Sequence, residues 1–227
     1  MYWQEDNAPE KNAASDAVVD IVYKIRCRCL PVDHAHPLSE ALLEHLPWLK
    51  GTPGAGMHPI SIPEAGNGWM RPEGEDELIH LSRRTRLTLR VPQAHIESAN
   101  TLSGKTLQVA GYDLDVLDAE TRPLLALETL FSRYNVLEKG MDEEAFMHAV
   151  VEELAEVGIR PRKMLPGKGR EMRNGEARLQ TLSLMIADLT HEESLQIQQR
   201  GIGHYQHLGC GVFIPQKGIA EVHEIQE

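Results

Sequence analysis

Three histidines around the first predicted helix are the side chains best suited to proton transfer in this 227-residue chain. His34 directly precedes the helix, His45 lies within its apolar stripe, and His58 lies in the glycine- and proline-rich loop that follows it. Histidine gains and loses a proton near neutral pH, so two of them can supply a general base and a general acid. A structural role is the alternative for each: capping and orientation of the helix entry for His34, core packing for His45 and anchoring of the loop for His58. His36, next to Pro37, is predicted to lie on the surface.

A glycine-rich segment near the C-terminus is the second feature that could serve a substrate. Between residues 201 and 211 it contains four glycines: Gly201, Gly203, Gly209 and Gly211. Glycine reaches positive φ at little cost and lets another backbone or a phosphate come close, so successive amides can point into one concavity and bind an anion. No lysine or arginine stands between these glycines, so we expect fixed positive charge to come from elsewhere.

The positive charge of the chain is clustered, although the formal net charge is −11 and argues, as an average, against a nucleic-acid partner. Local clusters matter more than the sum. Residues 160–178 hold two acidic and seven basic side chains, the basic ones being Arg160, Arg162, Lys163, Lys168, Arg170, Arg173 and Arg178. A second cluster comprises Arg83, Arg84, Arg86 and Arg90. Each cluster is either a nucleic-acid surface or an ordinary solvated face.

Length and composition exclude several classes of protein. The chain is long enough for two modules of about 100 residues each. No apolar run approaches the roughly 18 residues of a membrane span, and the N-terminus has no hydrophobic signal region, so we expect a cytoplasmic protein without a membrane partner. Cys27, Cys29 and Cys210 form no disulfide pattern, and Cys27 and Cys29 are predicted to be small buried side chains. Neither zinc-ligand spacing nor a phosphate-binding Walker motif occurs, so we predict no metal and no cofactor.

The first half of the chain alternates strands and helices in the order β-α-β-β-α-β. Period-2 alternation and helical periodicity predict these elements. The strands are expected at residues 18–30, 77–81, 84–91 and 106–117, with 77–81 and 84–91 forming a hairpin, and the helices at 37–50 and 93–100.

The second half repeats the same order. Strands are predicted at 129–137, 160–165, 179–186 and 210–215, and helices at 142–157, capped by Asp142, and at 192–200, with a capping box formed by Thr190 and Glu193. Two β-α-β-β-α-β units predict an α+β chain of tandem ferredoxin-like, RRM-like modules, each with its helices on one face of an antiparallel sheet. The predicted division is an acidic N-terminal extension at 1–17, modules at 18–120 and 121–218 with the glycine-rich loop in the second, and an acidic tail at 219–227.

Two such modules, with a last helix that ends in G-x-G-x(5)-G-x-G, resemble the CRISPR repeat-RNA-processing endoribonucleases of the RAMP superfamily, and more narrowly their MYXAN-type branch. The matching stretches are Leu30–His34, Leu38, Ala41–Leu42, Pro47–Leu49, Met57–Ile60, Gly104–Lys105 and Gly201–Gly211. The resemblance covers roughly residues 18–217.

The resemblance implies a protein that binds a hairpin in CRISPR repeat RNA, cuts it once without metal and leaves 2′,3′-cyclic phosphate and 5′-hydroxyl ends. It further implies that the protein stays bound to the guide RNA with the other subunits of a type I effector complex. His58 and His34 would then be the candidates for the acid and base roles, with the division between them left open and His45 as a third candidate. The implied RNA-binding residues are Arg160, Arg162, Lys163, Lys168, Arg170 and Arg173. Within the glycine-rich loop, the rings of His204, Tyr205 and His207 either stack on RNA bases or pack the loop against its own module. Two alternatives stay open: a catalytically weak RNA-binding subunit, and a ferredoxin-like regulatory domain that binds no RNA.

Overall fold

The structure is a computed structural model that describes residues 17–60, 74 and 77–216. The acidic extension predicted at 1–17 lies outside these ranges except for residue 17, and the tail predicted at 219–227 lies wholly outside them. Among the described residues, no helix is long and apolar enough to cross a membrane.

The first module is built around a five-stranded antiparallel sheet. Its elements in chain order are β1 (Val18–Arg26), β2 (Cys29–Pro31), α1 (Ala35–Leu43), β3 (Gly56–His58), β4 (Leu78–His80), β5 (Arg86–Pro92), α2 (Ile96–Asn100), β6 (Thr106–Val109) and β7 (Tyr112–Pro123). The strand order in the sheet is β3-β5-β1-β7-β6. Alternation in β1 places Ile21 and Tyr23 in the core and Lys24 and Arg26 in solvent, as the sequence predicts.

The hairpin predicted from residues 77–81 and 84–91 is wrong. β4 instead pairs with β2, with Ile79 opposite Leu30, while the neighbour of β5 is β3, with Met57 opposite Leu89. β3 has only three residues, too few to show an alternating pattern, so closeness in sequence favoured the wrong partner. A smaller difference concerns α1, which ends at Leu43 instead of residue 50. Residues 106–117, predicted as a further strand with a turn at Gly111, form the β6–β7 hairpin, and the turn at Gly111 is present.

The second module contains a four-stranded sheet with two helices on one face. Its elements are β8 (Leu130–Val136), α3 (Glu143–Ala155), β9 (Lys163–Asn174), β10 (Ala177–Ala187), α4 (His191–Arg200) and β11 (Ile214–Pro215), and the strand order is β11-β8-β10-β9. Both predicted caps are confirmed: Asp142 accepts a hydrogen bond from the Ala145 amide at 2.8 Å, and Thr190 and Glu193 form the capping box of α4.

The basic hairpin is longer than predicted, and the last strand is shorter. β9 and β10 together cover residues 163–187 and turn at Gly175, whereas the strand predicted at 210–215 is limited to Ile214–Pro215. Residues 210–213 are buried without strand pairing.

The helices of the second module cover one face of its sheet, where Phe146, Val150 and Leu154 of α3 and Ile197 of α4 pack against Leu184 of β10. The other face of the sheet meets the first module, because Met172 of β9 and Cys210 belong to the core of the first module. The predicted tandem ferredoxin-like, α+β architecture is confirmed.

Candidate functional site

Two clefts lie where the free face of the second sheet meets the first module, and Pro59 lines both of them. The first cleft has a volume of about 300 Å³, and its polar lining residues are Asp33, His34, Tyr134, Lys168, Arg170 and Glu171. The second cleft has a volume of about 330 Å³ and is lined by His58, Phe131, Arg133 and residues of the glycine-rich loop and β11.

His34 combines near-complete burial with a fixed ring orientation. The residue is 3% exposed, and its Nδ1 lies 2.8 Å from the carbonyl oxygen of Pro31. A carbonyl oxygen can only accept a hydrogen bond, so Nδ1 carries a proton, and Nε2 is the nitrogen at which the neutral ring can accept another. His34 occupies the N-cap position of α1, but its side chain makes no capping hydrogen bond. The side-chain capping predicted for this residue is therefore wrong, whereas the contact with Pro31 is compatible with the other predicted structural role, orientation of the helix entry.

The structure divides the predicted RNA-binding residues into two groups. Lys168 and Arg170 line the first cleft, and the backbone amide of Arg173 donates to Asp33 Oδ2 at 3.0 Å, directly beside His34. Three others lie at the far end of the hairpin, at or before the start of β9: Arg160, Arg162 and Lys163, the last of which forms an ion pair with Asp188 at 3.0 Å. Since a strand rises about 3.3 Å per residue, Lys163 and Lys168 are about 16 Å apart along β9. The basic side chains are therefore spread along the hairpin, and only some of them reach the first cleft.

A pair of β-bulges explains why Lys168 and Tyr134 reach the same cleft. On both sides of β10, the pairing shifts between Leu182 and Leu184. Ser183 therefore faces two residues of each neighbour, Arg133–Tyr134 on β8 and Gly167–Lys168 on β9. Bulges redirect side chains that regular alternation would place elsewhere. A Cβ atom on Gly167 would lie 2.5 Å from Ser183 Oγ, which explains why a glycine occupies this position. A glycine in the sequence does not by itself reveal a bulge.

His58 lies apart from His34, on the other side of Pro59. Its Nε2 is 3.2 Å from Asp20 Oδ1, and Asp20 also pairs with Arg90. Burial alone would raise the pKa of Asp20, but the charges and hydrogen bonds of His58 and Arg90 outweigh it and hold that pKa well below its usual range. Arg90 belongs to the second predicted basic cluster, yet it is only 2% exposed, so a solvated face is the wrong interpretation for this residue.

His45 lines neither cleft. It follows the end of α1 and is half-buried, so the core role predicted as its alternative is wrong. His36, predicted to lie on the surface, is half-buried instead and lies beside the tip of the β9–β10 hairpin, where its Nε2 would be 3.8 Å from a Cβ atom on Gly175. In the sequence, the only sign that His36 lies close to the hairpin is its position two residues after His34. Among the described residues, no group of three or more His, Cys, Asp or Glu side chains could hold a metal ion.

The glycine-rich loop packs against the first module. All four glycines have positive φ, and the loop closes on itself through a hydrogen bond from the Ile202 amide to the Gly211 carbonyl oxygen at 3.0 Å. A Cβ atom on Gly209 would lie 2.6 Å from Pro59 Cγ, so this glycine lets the loop touch the wall that both clefts share.

The residues between the glycines differ in exposure. His204 and Tyr205 are exposed, and Tyr205 adopts a left-handed conformation with φ of +67°, which is uncommon for an aromatic residue and recurs at functional sites. His207 is half-buried, 6.0 Å from the Tyr205 ring between centroids. Burial lowers the pKa of His207, the positive charges of Lys50 and His36 lower it further, and Glu40 opposes them. His207 therefore lies among charged side chains at the junction of the loop and α1.

Comparison with known proteins identifies the family from sequence and a shared fold from structure. A family model described as "Cas6 Crispr" matches residues 19–218. The CRISPR-associated endonuclease Cas6 of Myxococcus xanthus (strain DK1622) is 29% identical over 204 residues, which cover 90% of this chain and 84% of that protein.

Solved structures support the fold at low sequence identity. A CRISPR-associated Cas6 protein superposes with a TM-score of 0.57 at 12% identity, covering 88% of this chain and all of the other. A structure described as a RAMP protein binding different RNA substrates superposes with a TM-score of 0.58 at 14% identity, covering 86% of this chain and 98% of the other. The chain belongs to the Cas6 family of CRISPR-associated endoribonucleases.

Proposed function

We propose that the protein binds the hairpin of CRISPR repeat RNA and cuts precursor transcripts into guide RNAs by attack of a 2′-hydroxyl on the adjacent phosphate. The products are a 2′,3′-cyclic phosphate and a 5′-hydroxyl, and no metal ion takes part. The observation that carries the proposal is the first cleft, which brings His34 together with Lys168 and Arg170 at the boundary of the modules. The M. xanthus relative is named as an endonuclease, which supports a cutting function over binding alone.

His34 is the proposed general base. Its Nδ1 proton is held by the Pro31 carbonyl oxygen, so Nε2 is the acceptor for the proton of the 2′-hydroxyl. Lys168 and Arg170 would stabilise the extra negative charge that develops on the phosphorus oxygens. Because the bulge opposite Ser183 determines where Lys168 points, this charge has a fixed place in the cleft.

His58 is the proposed general acid, which must protonate the 5′-oxygen of the leaving group. Because His34 and His58 line different clefts that share Pro59, this role requires the scissile phosphate to lie beside Pro59, between the two rings. Asp20 accepts the hydrogen bond from its Nε2, so the proton available for transfer is one carried by Nδ1. A carboxylate that orients an imidazole ring is a recurrent arrangement in acid–base catalysis. The catalytic role predicted for His45 has the least geometric support, since His45 lines neither cleft.

Single-turnover cleavage of a repeat-RNA hairpin in excess EDTA tests the proposal. We expect cutting by the wild-type protein, and loss of about 100-fold or more in rate for His34→Ala and for His58→Ala. His148→Ala, an exposed histidine on α3, is the matched control. Replacing single riboses by deoxyribose, one position at a time, should block cutting at one position only. Cleavage that stops in EDTA and returns with Mg²⁺ would refute the mechanism.

A catalytically weak RNA-binding subunit is the second candidate, and the 3% exposure of His34 favours it. That function predicts tight, salt-dependent RNA binding without cleavage that depends on His34 or His58. A regulatory domain without RNA predicts no salt-dependent affinity at all, whereas several phosphate contacts produce a steep salt dependence.

We further propose that the protein keeps its product and serves as a subunit of a type I effector complex, as the family resemblance implies. Slow product release is the measurable consequence. With RNA in excess over protein, we expect a burst equal to the protein concentration followed by a much slower phase. Steady multiple turnover without a burst would contradict retention of the guide RNA.

A further inference from the structure

Arg90 of β5 is a buried guanidinium that binds one carboxylate with two of its nitrogens. Its Nε donates to Asp20 Oδ1 at 3.0 Å, and its Nη2 donates to Asp20 Oδ2 at 3.2 Å. Asp20 lies directly opposite Arg90 on β1, so both side chains leave the same face of the first sheet. This two-pronged geometry fixes the direction of the third nitrogen, Nη1.

Nη1 of Arg90 crosses to the second module and holds both ends of the glycine-rich loop. It donates to the carbonyl oxygen of Gln198 at 2.9 Å and to that of Phe213 at 2.7 Å. Gln198 lies in the last turn of α4, where carbonyl groups lack helical donors, just before the loop begins at Gly201. Phe213 follows the loop, just before β11. One side chain therefore joins the start and the end of the loop to the first sheet.

The surrounding backbone is packed closely enough for this contact to matter. A Cβ atom on Gly54 would lie 2.9 Å from the carbonyl oxygen of Gln199, and one on Gly56 would lie 2.9 Å from Val212 Cγ2. The chain leading into β3 thus touches the same two segments that Arg90 binds. β3 continues into His58 and Pro59, which line the clefts. A shift of the loop relative to β3 would change the shape of both clefts.

We propose that Arg90 and Asp20 are positioning residues for RNA cleavage, which hold the glycine-rich loop in register with β3 and so set the geometry of the two clefts. The inference rests on the proposed function. Neither residue needs to touch the RNA: Arg90 acts through the loop, and Asp20 acts through Arg90 and His58. Displacement of a reacting group by about 1 Å can cost 100-fold in rate, so a small movement of the loop is enough.

The test compares Arg90→Gln and Arg90→Lys with Arg86→Gln in the full-length protein. Arg86 is a matched control because it lies on the same strand and, within the described part of the chain, donates to the nearby carbonyl oxygens of Arg83 and Thr85 and not to the second module. Three quantities are measured: the single-turnover rate at saturating RNA, the RNA dissociation constant, and hydrogen–deuterium exchange of residues 201–213. Melting temperatures show whether each variant is folded.

We expect Arg90→Gln to cut about 100-fold more slowly at saturating RNA, with a dissociation constant within about 3-fold of wild type. Exchange in residues 201–213 should rise. Arg90→Lys keeps the charge but loses the two-pronged contact, so its cleavage rate and its exchange should lie between those of the wild type and Arg90→Gln. If Arg90→Gln does not fold, Arg90→Lys takes its place in the test. Arg86→Gln should match wild type in all three quantities.

Two outcomes would overturn the proposal. One is a wild-type rate per folded molecule in both Arg90 variants, which would leave only a stabilising role. The other is unchanged exchange in residues 201–213 when the variants are folded. If the wild-type protein itself cuts no hairpin RNA, the proposed function fails, and the exchange measurement still decides whether Arg90 holds the loop.

Discussion

The Nδ1 atom of His34 lies 2.8 Å from the carbonyl oxygen of Pro31, so this histidine has one ring nitrogen committed to its own backbone. An asparagine at this position can supply the same donor but cannot exchange protons near neutral pH. We therefore expect His34→Asn to retain most of the stability of the wild type and to lose about 100-fold or more in cleavage rate.

The comparison variant is His34→Ala, which removes both the donor and the titrating ring. It should lose activity to the same extent and about 1–2 kcal/mol of stability as well, because the Pro31 carbonyl oxygen loses its partner. Urea unfolding and single-turnover kinetics measure the two effects separately. An active His34→Asn protein would exclude His34 as the general base.

Lys168 and Arg170 should each contribute one phosphate contact. Replacing either by alanine is expected to reduce the slope of log affinity against log salt concentration by about 1, and to weaken binding similarly for different RNA sequences. Filter binding at several salt concentrations gives the slope. Lys139→Ala, on the exposed connection between β8 and α3, is a suitable control, and an equal loss in that variant would show that general charge explains the effect.

Alanine substitutions at Gly203 and Gly209 distinguish the stability cost of backbone strain from that of steric contact. Both have positive φ, but a Cβ atom on Gly203 would meet nothing within 4 Å, whereas one on Gly209 would lie 2.6 Å from Pro59 Cγ and 3.0 Å from the Met57 carbonyl oxygen. Gly203→Ala should cost about 1 kcal/mol of stability, and Gly209→Ala about 3 kcal/mol. Urea unfolding measures both. Equal losses of stability in the two variants would mean that Pro59 moves away from the new methyl group at little cost.

Asp20→Asn should make the free energy of unfolding less dependent on pH in acid. The pKa of Asp20 is held well below its usual range, so its contribution is fully present above about pH 4 and is lost as the pH falls through the lower, folded value. At neutral pH we expect a loss of about 3 kcal/mol, because Arg90 remains buried without its partner. The deficit should be constant down to about pH 5 and shrink only in stronger acid. A deficit that disappears between neutral pH and pH 5 would contradict this linkage.

Cys210 should resist alkylation in the folded protein. Burial raises the pKa of its thiol to about 12, and the thiolate is the reactive form. Iodoacetamide at mildly alkaline pH, followed by mass spectrometry, should leave Cys210 unmodified until urea is added. Rapid modification of Cys210 without denaturant would show that the C-terminal end of the glycine-rich loop opens readily.

Local sequence patterns predicted the parts of the fold that depend on local forces. The apolar alternation of β1, the apolar stripe of α3 and the caps at Asp142 and Thr190 each follow from neighbouring residues, and all are present. The pairing of β3 with β5 was missed because it joins segments far apart in sequence, and three residues carry no pattern.

The site was harder to predict because its geometry depends on contacts between the modules. Arg90 looked like one of several surface arginines, and nothing in the sequence indicates that Asp20 and two carbonyl oxygens surround it. The separation of His34 from His58 by Pro59 and the division of the basic residues along β9 likewise appear only once the strands are paired.

The paired bulges opposite Ser183 make the hairpin sensitive to changes in its length. Successive residues of a strand point to opposite faces, so deleting or inserting one residue between the bulge and the turn at Gly175 would exchange the faces of the residues beyond it. Arg170 would leave the cleft, and Met172 would leave the core of the first module. Relatives with a hairpin of different length should therefore differ by residues added in pairs, or should carry a compensating change at the bulge.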